Sequence, residues 1–353
     1  MSNPRRDFWN GRRVLLTGHT GFKGSWTALW LKRLGAEVSG FALVPETEPS
    51  LWRQVGDGLL AHETIADIAD RVALADAIDR ARPQIVLHMA AQALVRTGYR
   101  DPIDTMATNA MGTAYLLEAL RDRPSLEAVL VVTTDKVYAN SDTGRDFVES
   151  DPLGGHDPYS ASKAAAEIMT ASYAASYFAR SGVGVATARA GNVIGGGDWS
   201  ADRLVPDIWR AAKSEIPLKL RYPGATRPWQ HVLEPVAGYL CYLEALAVDK
   251  AVPPTLNFGP YPQGGATVAQ VAESMSKALG VDTAWERDVG DHPRESALLS
   301  LDPSLAGKNL GWKPRLDQAA TLDWTADWYA RHREGEDATG LCFSQIDRYE
   351  ALA

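Results

Sequence analysis

Tyr159 and Lys163 stand four residues apart in PYSASKAAAE, so on a helix they share one face. A phenol ionises near pH 10, too high for a base at neutral pH. An ammonium close by, together with an oxidised nicotinamide, favours the phenolate and brings that value down. A phenolate so held can take the proton of a sugar or alcohol hydroxyl while hydride leaves the same carbon. A second group of reactive side chains ends an apolar run in VVTTDKVYAN, where Thr133, Thr134, Asp135 and Lys136 follow one another. Oxidation alone needs a base and a hydroxyl donor. An acid beside an amine adds a proton donor and a proton acceptor, which loss of water requires.

Hydride chemistry needs an acceptor, and LLTGHTGFKGSW has the residues for one. Gly18, Gly21 and Gly24 follow the first apolar run and open the first helical pattern. Glycines there allow a tight turn, close approach to a pyrophosphate and helix-on-strand packing, with the anion at the helix N-terminus. Thr20, Phe22 and Lys23 complete that loop. The second strand ends GFALVPE, without an acid for the ribose hydroxyls and without an arginine cluster for a 2′-phosphate. NAD is therefore preferred over NADP, with both open. Asp67 and Ile68, after HETIA, are placed to flank the adenine.

These groups need a scaffold that brings loop ends together. RRVLLTG, AEVSGFAL, PQIVLHMAA, EAVLVVTT and VGVATARAGNVIG read as strands, separated by helical patterns such as SWTALWLKRLG and RVALADAIDRAR. Strands alternating with helices imply right-handed βαβ units, hence a doubly wound parallel sheet of the Rossmann type. After about residue 195 the rhythm breaks, and a smaller substrate-binding lobe is expected over the sheet's carboxyl edge. The expected division assigns 1–194 and a returning segment at 228–258 to the nucleotide-binding domain. It assigns 195–227 and 259–353 to the lobe, which Trp312, Trp324 and Trp328 pack.

Bulk properties narrow the partners. The 353 residues carry a net charge of −8, with pI ≈ 5.4 and mean hydropathy −0.21. That balance argues against a nucleic-acid or anionic-membrane surface. No signal peptide or membrane-length apolar run is seen, and two cysteines, Cys241 and Cys342, make no disulfide framework. A cytoplasmic enzyme is expected. No Cys/His cluster has metal-ligand spacing and GxSxG is absent, so no metal site is expected.

With these residues in place the chain resembles the extended short-chain dehydrogenase/reductase family over nearly its whole length. TGHTGFKGSW, HMAAQALVR, TTDKVY, GGHDPYSASKAAAE, ARAGNVIGGGDW and RPWQHVLEP are similar to the CDP-glucose 4,6-dehydratases within it. The resemblance implies oxidation at C4 of CDP-D-glucose, elimination of water across C5–C6 and hydride return to C6, with NAD recycled. It implies that Thr134 hydrogen-bonds the C4 oxygen and that Asp135 protonates the C6 hydroxyl. Lys136 takes the position of the C5 base, either as a neutral amine or as an ammonium that stabilises the enolate. It further implies Ala90, Ala91 and Gln92 at the cofactor, with Tyr159 and Lys163. Asn192, Arg203, Arg227 and His231 would bind the nucleotide sugar, though a packing role for His231 is equally open.

Thr108 and Asn109 read as residues that order a helix start, His88 as a structural histidine and His156 as solvent-facing. A homodimer or homotetramer is expected through the helical segments near 102–121 and 158–180. The alternatives are a dehydratase for another nucleotide sugar or a C4-epimerase, and more remotely a non-catalytic NAD-binding module. Asp135 and Lys136 stand against a plain epimerase, which has no use for them.

Overall fold

The computed structural model describes residues 3–140, 144–214, 216–249, 251–260, 266–280, 285–290 and 299–352. Its first half runs through β1 (Arg13–Thr17), α1 (Phe22–Arg33), β2 (Glu37–Ala42), β3 (His62–Ile65), α2 (Arg71–Ala81) and β4 (Ile85–His88). A helical stretch α3 over 102–119 follows, with a π turn at Ala107–Met111, then β5 (Ala128–Val132), α4 (Pro158–Tyr173) and β6 (Gly184–Ala190). The second half begins with β7 (Val193–Ile194), α5 (Leu204–Ser214), β8 (Leu218–Leu220), β9 (Thr226–Arg227), β10 (Gln230–His231), α6 (Leu233–Val248) and β11 (Thr255–Phe258). It closes with β12 (Ala266–Thr267), α7 (Val268–Ala278), β13 (Trp285–Arg287), α8 (Ser304–Leu310), α9 (Gln318–Arg333) and α10 (Ala338–Glu350).

Seven strands make one sheet in the order β11-β6-β5-β4-β1-β2-β3, all neighbours parallel. A sheet covered on both faces needs apolar residues of both parities. Val14, Leu16, Ile85, Leu87, Leu130 and Val132 enter one core with α1 and α6. Leu15, Val86, Val129 and Val131 enter the other with Leu74 and Ile78 of α2 and Leu116 and Leu117 of α3. The strand order reverses between β1 and β4, which opens a crevice at their carboxyl ends.

Two strands of the seven-stranded sheet escaped the sequence reading. β3 is an edge strand with mostly exposed residues, and β11 is only four residues long. Neither gives the apolar signal of a doubly covered strand. β11, at the end of the segment 228–258, pairs in parallel with β6. The lobe consists of two-stranded ladders β7·β10, β9·β12 and β8·β13 with α5, α7 and α9.

The end of the chain departs from the expected division: α10 packs on α1. There the Trp30 indole N–H donates to Glu350 over 2.7 Å and the Trp30 and Tyr349 rings meet edge to face. Buried Glu234 of α6 explains the return, since it accepts from the Arg315 and Leu316 backbone and from the Tyr349 hydroxyl. The last helix thus packs on α1 of the sheet side as well as on α9.

Candidate active site at the carboxyl edge of the sheet

The loops after β1, β4, β5 and β6 converge at the crevice. In the first, Gly18 has φ +77°, and a Cβ there would lie 2.6 Å from the Ala90 backbone nitrogen. A Cβ on Gly24 would lie 2.1 Å from the Gly18 carbonyl oxygen. Both positions therefore demand glycine. Thr20 fixes the loop by donating to the Leu43 carbonyl. α1 starts at Gly21 with no side-chain cap and no acid in its first turn. Uncapped N–H groups at the mouth of such a loop suit a diphosphate, so the residues fit a dinucleotide. Phe22 packs into the core beneath, and the Lys23 ammonium lies 5.8 Å from the centre of the Tyr239 ring.

His19 was missed by sequence reasoning. It is fully buried under the loop, bonded through Nε2 to Glu63 over 2.8 Å and packed edge-on against Trp52. Burial pushes its pKa down despite Glu63. Its only sequence signal was a polar residue between two loop glycines.

After β4, Ala90 accommodates Gly18, and Gln92 is held by Asn109. The Asn109 side chain accepts from the Gln92 N–H at 2.8 Å and donates to the Gln92 carbonyl and to Ser162 of α4. Asn109 lies in the π turn of α3, so it clamps the loop to the active-site helix and does not order a helix start. Asp67 is exposed and folds back on the Ala69 N–H, whereas the Ile68 side chain is buried against Gly112. His88 is satisfied by Thr17 and Thr113 and burial lowers it to about 3, as a structural histidine should be. His156 is exposed.

The stretch after β5 answers for the acid and the amine. Thr134 caps a 3₁₀ turn over Asp135–Val137 and donates to Asp135 Oδ1 at 2.9 Å. Asp135 is 3% exposed, and its Oδ2 has no partner among the described residues. That oxygen faces Gly191 after β6, where a Cβ would approach it to 3.1 Å. Burial raises the Asp135 carboxyl, opposed by Lys136, by Thr134 and by the charges of Arg227 and Lys23. Lys136 is half-buried beside it.

Asp157 caps α4 through the Ser160 N–H and starts the helix so that Tyr159 faces Thr134. Lys163, one turn after Tyr159 on the same helix, donates to the Val132 carbonyl at 2.8 Å. Burial and then Lys23 bring its amine down to about 8. Burial pushes the Tyr159 phenol up, against Arg203 and a hydrogen bond with Thr134. Lys163 is thus first a strut between α4 and the end of β5. Beneath it Glu167 accepts from Thr133 at 2.6 Å and pairs with buried Arg189, whose guanidinium also meets Tyr138.

On the lobe side Asn192, Asp198, Arg203, Leu204, Pro206 and Trp229 line a crevice. Asn192 Nδ2 and the Trp229 indole N–H are buried without partners among the described residues. Trp229 is a second residue that the sequence reading left without a role. Arg203 bridges the gap by donating to the Ala93 carbonyl. Arg227 is buried on β9, with its charge felt at Asp135. His231 goes elsewhere. It is fully buried between Trp26 and Trp324, and burial lowers it to about 3. Its ring packs the join between sheet and lobe and does not reach the crevice.

A nucleotide-binding βαβ edge with an intact tyrosine and an added acid can be compared with known proteins. The family described as "NAD dependent epimerase/dehydratase family" matches residues 14–259. The chain belongs to that family. It is 44% identical over 350 residues to a CDP-glucose 4,6-dehydratase of Salmonella typhimurium, covering 98% of each chain. It is 26% identical to a probable dTDP-glucose 4,6-dehydratase of Sinorhizobium fredii, over 90% of this chain and 92% of that one. Among solved structures, the NAD-bound dTDP-glucose 4,6-dehydratase of Streptomyces venezuelae superposes with TM-score 0.78 at 25% identity, covering 93% and 99%. This member of the NAD-dependent family has no helix among its described residues long and apolar enough to cross a membrane.

Proposed function

We propose that this chain converts CDP-D-glucose to CDP-4-dehydro-6-deoxy-D-glucose and water. The observation that carries the reading is Asp135. It is a buried carboxyl held up by desolvation, with one oxygen free among the described residues, on the same crevice as Thr134 and Tyr159. A carboxyl that burial makes hold its proton more tightly than usual is suited to protonate a leaving hydroxyl. Cytosine is carried by the 44% identical relative.

Bound at the glycine loop, NAD supplies reversible hydride exchange with the sugar, so the overall conversion is redox-neutral. The residues of this chain handle protons and charge. Thr134 donates to the C4 oxygen and Tyr159 takes the C4 hydroxyl proton. Asp135 gives its proton to the C6 hydroxyl, which leaves as water. Lys136, half-buried beside Asp135, takes the position of the C5 base and accepts the proton whose loss leaves the enolate. Asn192, Arg203 and Arg227 hold the diphosphate, where guanidinium groups make charge-assisted bonds. Lys163 keeps the end of β5 and α4 in register.

The test is a panel of nucleoside diphosphate glucoses incubated with the purified protein. Only the cytidine compound should give the alkaline absorbance of a 4-keto-6-deoxy sugar. A 4-epimer as the product would reject the reading. The outward side chains Ile103, Met111 and Ile168 of α3 and α4, 78%, 41% and 61% exposed, favour pairing of two copies there. Light scattering that reports a monomer would exclude it. The two buried free cysteines are in keeping with a reducing cytoplasm.

A further inference from the structure

The turn that carries the proposed acid is tied at both ends to one buried ion pair. Thr133 enters the turn from β5 and donates to Glu167 Oε1 on α4 at 2.6 Å. Tyr138 leaves it, and its hydroxyl accepts from the Arg189 guanidinium on β6 at 2.7 Å. The same guanidinium stands 4.6 Å from the centre of the Tyr138 ring. Arg189 and Glu167 pair with each other, Nε to Oε1 at 2.8 Å, with side chains 4% and 3% exposed. Between the two ties lie Thr134, Asp135, Lys136 and Val137. Asn257 of β11 backs the second tie by accepting from the Tyr138 hydroxyl at 2.7 Å. Glu167 also stands one turn after Lys163, so the helix that presents Tyr159 and the turn that presents Asp135 share one anchor.

A buried ion pair is a poor way to add stability. Two charges lose their water, and apolar residues of the same volume often serve as well or better. What the pair supplies is direction, because the guanidinium fork and the carboxylate oxygens meet in one geometry. Resting on the dehydratase reading above, we propose that Glu167 and Arg189 are positioning residues. They act through Thr133 and Tyr138 to hold Thr134 and Asp135 in place against Tyr159, and neither touches the sugar. Thr134 has to meet the C4 oxygen while Asp135 meets the C6 hydroxyl of the same hexose. A turn held at one end only could satisfy one contact and miss the other. Misplacing such a group by about 1 Å costs about a hundredfold in rate.

The experiment cuts the two ties and leaves the ion pair standing. Thr133→Val removes one hydroxyl, and the Glu167 oxygens keep Arg189. Tyr138→Phe removes the other, and Arg189 keeps the Glu149 carbonyl at 3.2 Å. Thr133→Ser retains the hydroxyl and serves as the rescue. Each holoenzyme is assayed for KM and kcat below the melting transition of the least stable variant, with the melting midpoint measured alongside. Thr133→Val and Tyr138→Phe should each lose about tenfold or more in kcat, with KM within about threefold of wild type. Thr133→Ser should return kcat to within about threefold. A tie that served folding alone would lower the midpoint and leave kcat per folded molecule unchanged. Wild-type kcat per folded molecule in either Thr133→Val or Tyr138→Phe overturns the proposal, as does a loss in Thr133→Val that serine does not recover. If wild type makes no 4-keto-6-deoxy sugar from any nucleoside diphosphate glucose, the dehydratase reading falls first and takes this one with it.

Discussion

Replacing Asp135 by asparagine removes a proton donor and little else. The amide oxygen can still accept from Thr134, the bond that now spans 2.9 Å. Burial disfavours the charged carboxylate at this site, so the neutral amide should change folding stability by no more than about 1 kcal/mol. Loss of an acid costs about 10²–10⁴ in rate, or roughly 3–5 kcal/mol in the barrier at 1.36 kcal/mol per tenfold. Because burial already favours the neutral carboxyl, the amide changes the charge facing a diphosphate little, and KM should stay close to wild type. In pH terms, a raised carboxyl holds its proton further up the scale and loses it as pH climbs through that value. The alkaline decline of kcat due to Asp135 should therefore disappear in Asp135→Asn. The assay follows reduction of bound cofactor, which reports C4 oxidation, alongside the 4-keto-6-deoxy product. Oxidation should persist while product formation collapses. A higher KM with unchanged kcat would refute the reasoning, because Asp135 would then bind the sugar rather than protonate it.

Glu167→Gln leaves the Arg189 guanidinium buried against a neutral partner, and breaking a buried pair costs about 3–5 kcal/mol. Urea unfolding should show that loss; a midpoint within error of wild type would mean that the pair is not net stabilising. His231→Asn addresses acid stability. The folded value near 3 lies below the ordinary 6.5, so the unfolded chain binds the extra proton between those limits. Stability from this site is complete above about pH 6.5 and is lost as pH falls toward 3. The variant should flatten the acid slope by about 1.4 kcal/mol per pH unit at its steepest, as read from denaturation at stepped pH. An unchanged slope would mean that the ring titrates normally in the fold.

How much of this was legible in the sequence depended on the reach of each residue's determinants. The glycine loop, the strands of the sheet centre and the Tyr-x-x-x-Lys helix are set by local spacing and by burial on both faces, and they lie where the pattern put them. Asp135 was legible as an acid at a strand end, but its poise was not: burial in the folded crevice raises it, against the neighbouring Lys136 and Thr134 and then the charges of Arg227 and Lys23, which are distant in sequence. The same non-local logic moved His231 into the tryptophans and turned Lys163 toward a backbone carbonyl. It also explains why Lys23 read as part of an anion cradle. Loop chemistry accounts for its backbone, while its side chain answers to α6 and α4, which the chain reaches some 140 to 220 residues later. A site at a topological switch draws its backbone from neighbouring residues and its electrostatics from remote ones. Substitutions at Gly191 should therefore perturb the acid without touching the motif that contains it. A Cβ there meets Asp135 Oδ2 at 3.1 Å, close enough to turn the carboxyl away from the crevice.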